Sequence, residues 1–434
     1  MENYESLVQK QRAFYRTGQT KDIHFRLNTL NKLQQAIQQE EKEILAALRK
    51  DLNKSEKEAY SSEIRIVLEE IKFTLDNLEA WALPKEVETP DSLGVATSVI
   101  YPEPYGLTLI IAPWNYPVQL ALAPLVGAIA GGNCAILKPS EFTPTTAAIL
   151  TKLIKENFPE EYLTVVEGEV ETSTALLKEK FDYIFFTGST PVGKVVMEAA
   201  SKHLTPLTLE LGGKSPCIVH SDADLKGAAK SIARGKFLNA GQTCVAPDYL
   251  LVHSSIKDQL LNELKSAVTA LYGEDIAKNA DYPRIVTEKQ FNRLSAFLSE
   301  GTTFFGGRTD VSRLFIEPTI LDHITWDDVV MKDEIFGPIL PVIVYDELSD
   351  IVDTITSRPK PLALYIFSND VEVQNQLIGQ ISFGGGCINE TLAHLTSPYL
   401  PFGGVGESGM GSYHGQKSFE TFSHAKSILK RTFK

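Results

Sequence analysis

From position 107 onward the chain alternates short apolar runs with helical patterns, and no other feature restricts its fold so strongly. The runs 107–112, 134–137, 163–166 and 183–186 read as strands, separated by helical periodicity at 118–130, 144–157 and 171–179. Apolar strands without polar alternation are buried on both faces, as in a parallel sheet covered by helices. A second series follows at 216–220, 249–253, 340–345, 362–367 and 386–389. Its helix 256–271 carries Ile256, Leu260, Leu264, Val268 and Leu271 on one face. The fold class expected is therefore α/β, with two doubly wound lobes.

The first eighty residues read as helices, with Leu27, Leu30, Leu33 and Ile37 on one face and a second stripe from Ile64 to Leu78. Residues 83–105 interrupt this body with β-branched segments broken by Pro90, Gly94, Pro102 and Pro104, the pattern of a projecting hairpin. The expected division is 1–82 with 106–208 as one lobe and 209–395 as the other. Residues 83–105 and 396–434 make a small arm and tail.

Forty-two basic against fifty-five acidic side chains leave a net charge of −13, which argues against a nucleic-acid partner or a polybasic membrane anchor. The longest nearly apolar run, 120–132, has thirteen residues and contains Pro124, whereas a membrane-spanning helix needs about 20. No integral membrane segment is expected. Four scattered cysteines without zinc-ligand spacing predict neither disulfides nor a metal, and fit a reducing cytoplasm.

Several segments carry chemistry. After the strand at 183–186 comes TGSTPVG, a glycine-rich turn into a helix, with Thr190 suited to the N-cap and Pro191 to the first helical position. Such a turn offers free N–H groups and a positive dipole end to a pyrophosphate, although Gly188 and Gly193 alone fall short of a full dinucleotide fingerprint. Lys138 and Glu141, in KPSE, follow the strand at 134–137, where ligands of open sheets bind; they are equally an exposed helix start. Cys244 lies among small residues in a loop, GQTC, where a thiol has little packing role and a neighbouring cation or helix N-terminus can lower its pKa. The other three cysteines fall in strands and read as small buried hydrophobes. Glu210 sits between leucines before a double glycine, where partial desolvation would make a general base. Asn115, in PWNYP, is either a turn residue or a donor to a developing oxyanion. His414 reads as a surface histidine in a polar tail.

The ordered set PWNYP, KPSE, FTGSTPVG, LELGGKSP, GQTC, EIFGP and PFGGVGESG resembles the aldehyde dehydrogenase superfamily over nearly the whole chain, closest to its class 3 branch for fatty and aromatic aldehydes. The resemblance implies a Rossmann-like dinucleotide-binding lobe, a catalytic lobe and an oligomerisation arm formed by the hairpin and part of the tail. It implies that Cys244 is the nucleophile, Glu210 the general base and Asn115, with the Cys244 backbone N–H, the oxyanion hole. Lys138 and Glu141 would hold the adenosine ribose, Gly188, Ser189 and Gly193 the phosphates, and Glu334 and Phe336 the nicotinamide ribose and ring, with Trp114 a further cofactor-binding residue. The cofactor implied is NAD, with NADP possible; Glu141 should repel a 2′-phosphate, yet class 3 members often accept both. The substrate implied is a small-molecule aldehyde, oxidised to its acid, and the assembly a homodimer. Membrane-bound members of the branch end in a hydrophobic anchor, which SILKRTFK does not resemble, so a cytoplasmic protein is expected. Three other readings stay open from sequence: transfer of the acyl group to coenzyme A, which Glu210 disfavours; a cofactor-free cysteine hydrolase, which lacks a histidine in the GQTC loop; and a non-catalytic descendant.

Overall fold

Leu107–Ile111 and Cys134–Lys138 are buried at every position, which places them in the middle of a sheet covered on both faces. The computed structural model describes residues 4–431, so positions 1–3 and 432–434 of the expected ranges lie outside the described residues. Six strands form the first sheet in the order Gly409–Met410, Leu207–Glu210, Tyr183–Thr187, Leu107–Ile111, Cys134–Lys138, Leu163–Val165. All run parallel except Gly409–Met410, a short antiparallel edge pairing Gly409 with Glu210 that the sequence pattern does not announce. From Leu107–Ile111 the chain winds outward one way through 134–138 and 163–165, then returns to wind the other way through 183–187 and 207–210. The switch point therefore lies between Leu107–Ile111 and Tyr183–Thr187, and the crevice beyond their carboxyl ends is where doubly wound sheets bind ligands.

The helix Gln119–Gly131 covers this sheet and is buried on nearly its whole circumference, despite Pro124 in its interior. Its carboxyl end is met by Arg26, a buried guanidinium that donates to the carbonyls of Ala130, Thr20 and Lys21. A cation there opposes the negative end of the helix dipole. Among the described residues no helix is long and apolar enough to cross a membrane.

Seven strands form the second sheet in the order Thr302–Phe305, Thr319–Asp322, Ile339–Tyr345, Tyr249–His253, Pro216–Val219, Ala363–Phe367, Gly385–Ile388, parallel except for the first pair. The α/β class with two doubly wound sheets is thus as the alternation predicts. A third, antiparallel sheet joins Lys85–Val87, Ala96–Pro104 and Ser423–Arg431. Its long ladder runs from Ser423 opposite Pro104 to Arg431 opposite Ala96. Active-site elements converge because the sheets face each other end-on. Residues at or just past the carboxyl ends of the first sheet (Asn115, Gly188, Glu210) meet residues just ahead of the amino ends of the second (Cys244 before Tyr249, Glu334 before Ile339).

Candidate active site

Between the two sheets lies a cavity of about 660 Å³, lined among others by Trp114, Asn115, Gly188, Ser189, Glu210, Cys244, Glu334 and Phe336. Eight of the eleven residues singled out from sequence therefore share one cleft, and Lys138, Glu141 and Gly193 do not line it. Lys138 is buried and donates to Glu141 Oε2 at 3.1 Å and to the Pro139 carbonyl at 2.9 Å, so the pair is closed on itself at the carboxyl end of its strand. Gly193 is a packing glycine: a side chain there would run into Leu211.

The strand Tyr183–Thr187 turns through Gly188 into the helix Thr190–Ser201. The helix begins one residue earlier than the spacing predicts, with Ser189 at the N-cap, Thr190 first and Pro191 second. Pro191 still falls in the first turn, where a missing N–H costs nothing. The Thr190 hydroxyl is taken by the Glu407 carbonyl at 3.1 Å. The Thr187 hydroxyl is buried without a partner. A helix N-terminus, an orphaned hydroxyl and a cleft rimmed by Lys194, Lys214, Arg293 and Lys360 suit an anionic dinucleotide.

Glu210 ends the strand Leu207–Glu210 with 3% of its surface exposed, and neither carboxyl oxygen has a hydrogen-bond partner among the described residues. Burial raises its pKa well above the ordinary value of 4.5. Cys244 follows a strained turn. Asn239, Ala240 and Gly241 have φ of 50°, 50° and 73°, and a side chain at Gly241 would strike the Gly337 carbonyl. The thiol is partly exposed to the cleft. Burial, with Glu334 and Glu210 nearby, pushes it up to about 12. Among the described residues the charged groups that shift it are those two carboxyls, and no cation offsets them.

Asn115 Nδ2 donates to the Gln242 carbonyl at 3.0 Å, which leaves its second amide hydrogen. Trp114 and Phe336 meet edge to face, centroids 5.4 Å apart. Glu334 is raised to about 8 by burial, then by Asp248. Its loop is held by residues sequence reasoning gave no role. Arg293 donates to the carbonyls of Glu334 and Ile335, and Lys214 bridges Asp248 to the carbonyls of Val330 and Asp333. Lys214 was visible within LELGGKSP, whereas Arg293 belongs to an ordinary helix pattern and carries no local signal.

Two further expectations change. His414 is buried, stacked on Phe402 at 5.4 Å and pushed down to about 4 by burial, because the tail folds back on the core. Cys387 lies in a strand as expected, but partly exposed at the sheet edge, with Sγ 3.4 Å from His394 Nδ1.

Two doubly wound sheets around a dinucleotide-sized cleft, with a thiol and an unpaired carboxyl on its wall, define a dinucleotide-dependent oxidoreductase. The profile of the Aldehyde dehydrogenase family matches residues 1–428. A 4,4′-diaponeurosporen-aldehyde dehydrogenase of Staphylococcus aureus is 51% identical over 420 residues, 96% of this chain and 92% of that one. A dimeric NADP-preferring aldehyde dehydrogenase of Canis lupus familiaris is 44% identical over 431 residues, 99% and 95% of the two chains. A solved structure of a substrate-bound Staphylococcus aureus AldH superposes with a TM-score of 0.98 at 50% identity, covering 100% of this chain and 95% of that one. The chain belongs to the aldehyde dehydrogenase family. It is an enzyme that oxidises an aldehyde with NAD(P).

Proposed function

We propose that the oxidation runs through a covalent thiohemiacetal and thioester on Cys244, with Glu210 as general base and Asn115 as oxyanion donor. The observation that carries this reading is the Glu210 carboxyl, buried with both oxygens unpaired on the wall of the cleft that holds Cys244. A buried acceptor without a partner is costly unless something is bound to it in use.

Cys244 sulfur adds to the carbonyl carbon, its proton passing to solvent, and the displaced π pair makes the carbonyl oxygen an oxyanion. The free amide hydrogen of Asn115 and the backbone N–H of Cys244 donate to that oxygen, worth about 2.7–4 kcal/mol for one such donor. NAD(P)⁺, when bound, supplies the acceptor for the hydride that leaves the carbonyl carbon. Cys244 is left as a thioester. Glu210 takes a proton from water, the water oxygen attacks the thioester, and breaking the C–S bond returns the thiol and releases the carboxylic acid.

The first lobe (1–82 with 106–208) binds the cofactor in this reading, with Ser189 and Gly188 at the phosphates and Trp114, Glu334 and Phe336 at the nicotinamide end. The second lobe (209–395) carries the nucleophile. Gly193 sets the helix that presents those N–H groups, and Lys138 with Glu141 receives the adenosine ribose by opening their ion pair. NAD is the preferred cofactor and NADP is accepted. The three-stranded arm and tail join two copies in a cytoplasmic homodimer, a reading supported by the dimeric relative from the dog.

The test is the appearance of reduced nicotinamide absorbance with an aromatic and a medium-chain aliphatic aldehyde, NAD and NADP in parallel. Turnover by the wild type that disappears in Cys244→Ala is expected. Turnover that survives in the variant removes Cys244 from the chemistry.

A further inference from the structure

The oxyanion donor and the nucleophile come from different lobes, and a third segment reaches both. Lys54 is wholly buried, and its ammonium pairs with Glu63, donates to the Asn115 carbonyl at 2.9 Å and lies 4.0 Å from the Tyr116 ring centroid. Glu63 Oε2 in turn accepts the N–H groups of Val118 and Gln119, where the central helix of the first sheet begins. Glu58 Oε1 accepts the N–H of Asn239 at 2.9 Å, the first residue of the left-handed turn before Cys244. Asn239 Nδ2 returns to the Asn115 carbonyl at 2.8 Å. The two sides are thereby tied through one peptide oxygen.

Local geometry explains how one short stretch does this. Residues five apart on a regular α-helix point about 140° away from each other. Tyr60–Ile64 is instead a π-helical turn, whose i→i+5 spacing lets Glu58 and Glu63 face the same buried region. The left-handed run at Asn239 and Ala240 is strained backbone, which persists only where its surroundings over-determine it. Glu58 and the Asn115 carbonyl are part of that restraint. A fully buried ion pair is weak evidence for stability, since desolvation offsets its attraction. Its retention here has a positional consequence instead: it fixes the Asn115 peptide from behind, and thus where the side-chain donor points.

We infer that Lys54, with Glu63 and Glu58, is a positioning cluster that holds the oxyanion hole, setting Asn115 against the Cys244 loop without touching substrate or cofactor. The inference rests on the reading of Asn115 as oxyanion donor. Single-turnover rates of aldehyde oxidation would be measured for Lys54→Met, Asn115→Ala and the pair combined. Lys54→Met is expected to slow the step on the order of tenfold to a hundredfold. The KM for the dinucleotide should stay unchanged, and the factor should shrink toward one in the Asn115→Ala background. A simple loss of stability would not produce that dependence. Should the single variant fail to fold, Lys54→Met with Glu63→Gln removes both members of the buried ion pair together and carries the same comparison. An unchanged rate in folded Lys54→Met overturns the inference. So does the same factor in both backgrounds when Asn115→Ala is itself slow, a result that leaves the oxyanion reading intact. A normal rate in Asn115→Ala overturns both.

Discussion

Glu210 binds its proton more tightly folded than unfolded, because burial raises its pKa well above 4.5. The folded state then holds more protons than the unfolded chain above that pH, so this group contributes stability at low pH that is lost as pH rises through its folded value. Glu210→Gln should therefore gain stability relative to the wild type by about 1.4 kcal/mol per pH unit above the ordinary carboxyl pKa, until the folded pKa is reached. Denaturant titrations at several pH values check this; a difference independent of pH would mean that the carboxyl is paired in solution. The same burial predicts that wild-type turnover rises from neutral to alkaline pH, as Glu210 and the Cys244 thiol ionise. Asn115→Ala should lower kcat by roughly 10²–10³-fold. Alkylation of Cys244 by iodoacetamide should proceed as before, since the thiol needs no oxyanion donor. In the proposed reading the Glu141 carboxylate meets the adenosine ribose, so Glu141→Gln should improve NADP use relative to NAD by about tenfold, an energy of about 1.4 kcal/mol. Paired kcat/KM measurements read it.

The turn that leads into Cys244 is the element most sensitive to substitution. At Gly241 a positive φ and the approach of the Gly337 carbonyl act together. A methyl group is unfavourable by about 1–2 kcal/mol for the backbone conformation alone, before the collision is relieved. Gly241→Ala should lower the melting temperature and slow turnover at temperatures where the variant is fully folded; normal turnover would mean that the loop has slack. Elements of this kind mark the limit of what sequence discloses. The buried strands 107–111 and 134–138 were legible because they lack polar alternation, and Cys244 because its surroundings have no packing logic. The π-turn at Tyr60–Ile64 was not, since a one-residue shift in apolar register reads equally as a break between two helices. The N-cap shifted by one residue because both Ser189 and Thr190 are good caps, and the chain's exit angle from the strand selects between them.

At the scale of the molecule, the catalytic cleft exists because two parallel sheets meet end to end. Periodicity identifies both sheets but cannot show which ends face each other. That is why Lys54 and Arg293 gave no sequence signal, and why Lys214, although inside LELGGKSP, did not show what it holds: each acts on a segment distant in the chain, Lys54 on Asn115, Arg293 on Glu334 and Lys214 on Asp333. His414 was misplaced for the same reason, since a polar tail gives no hint that it folds back against Phe402. The third sheet makes a prediction of its own. Ser423–Arg431 completes it along a ladder with Ala96–Pro104, so ending the chain after Phe422 removes one whole strand. Light scattering should find the intact protein at twice the mass of one chain and the shortened one at the monomer mass; a monomeric intact protein would remove the arm's proposed role. In the proposed mechanism Cys244 carries the acyl group and Glu210 releases it. The most direct measurement is the intact mass of Glu210→Gln after one turnover with an aldehyde and NAD. A mass increase equal to the acyl group is expected, mapped to Cys244 and absent from Cys244→Ala. Reduced cofactor formed with no adduct on the protein, or an adduct on another residue, would contradict it.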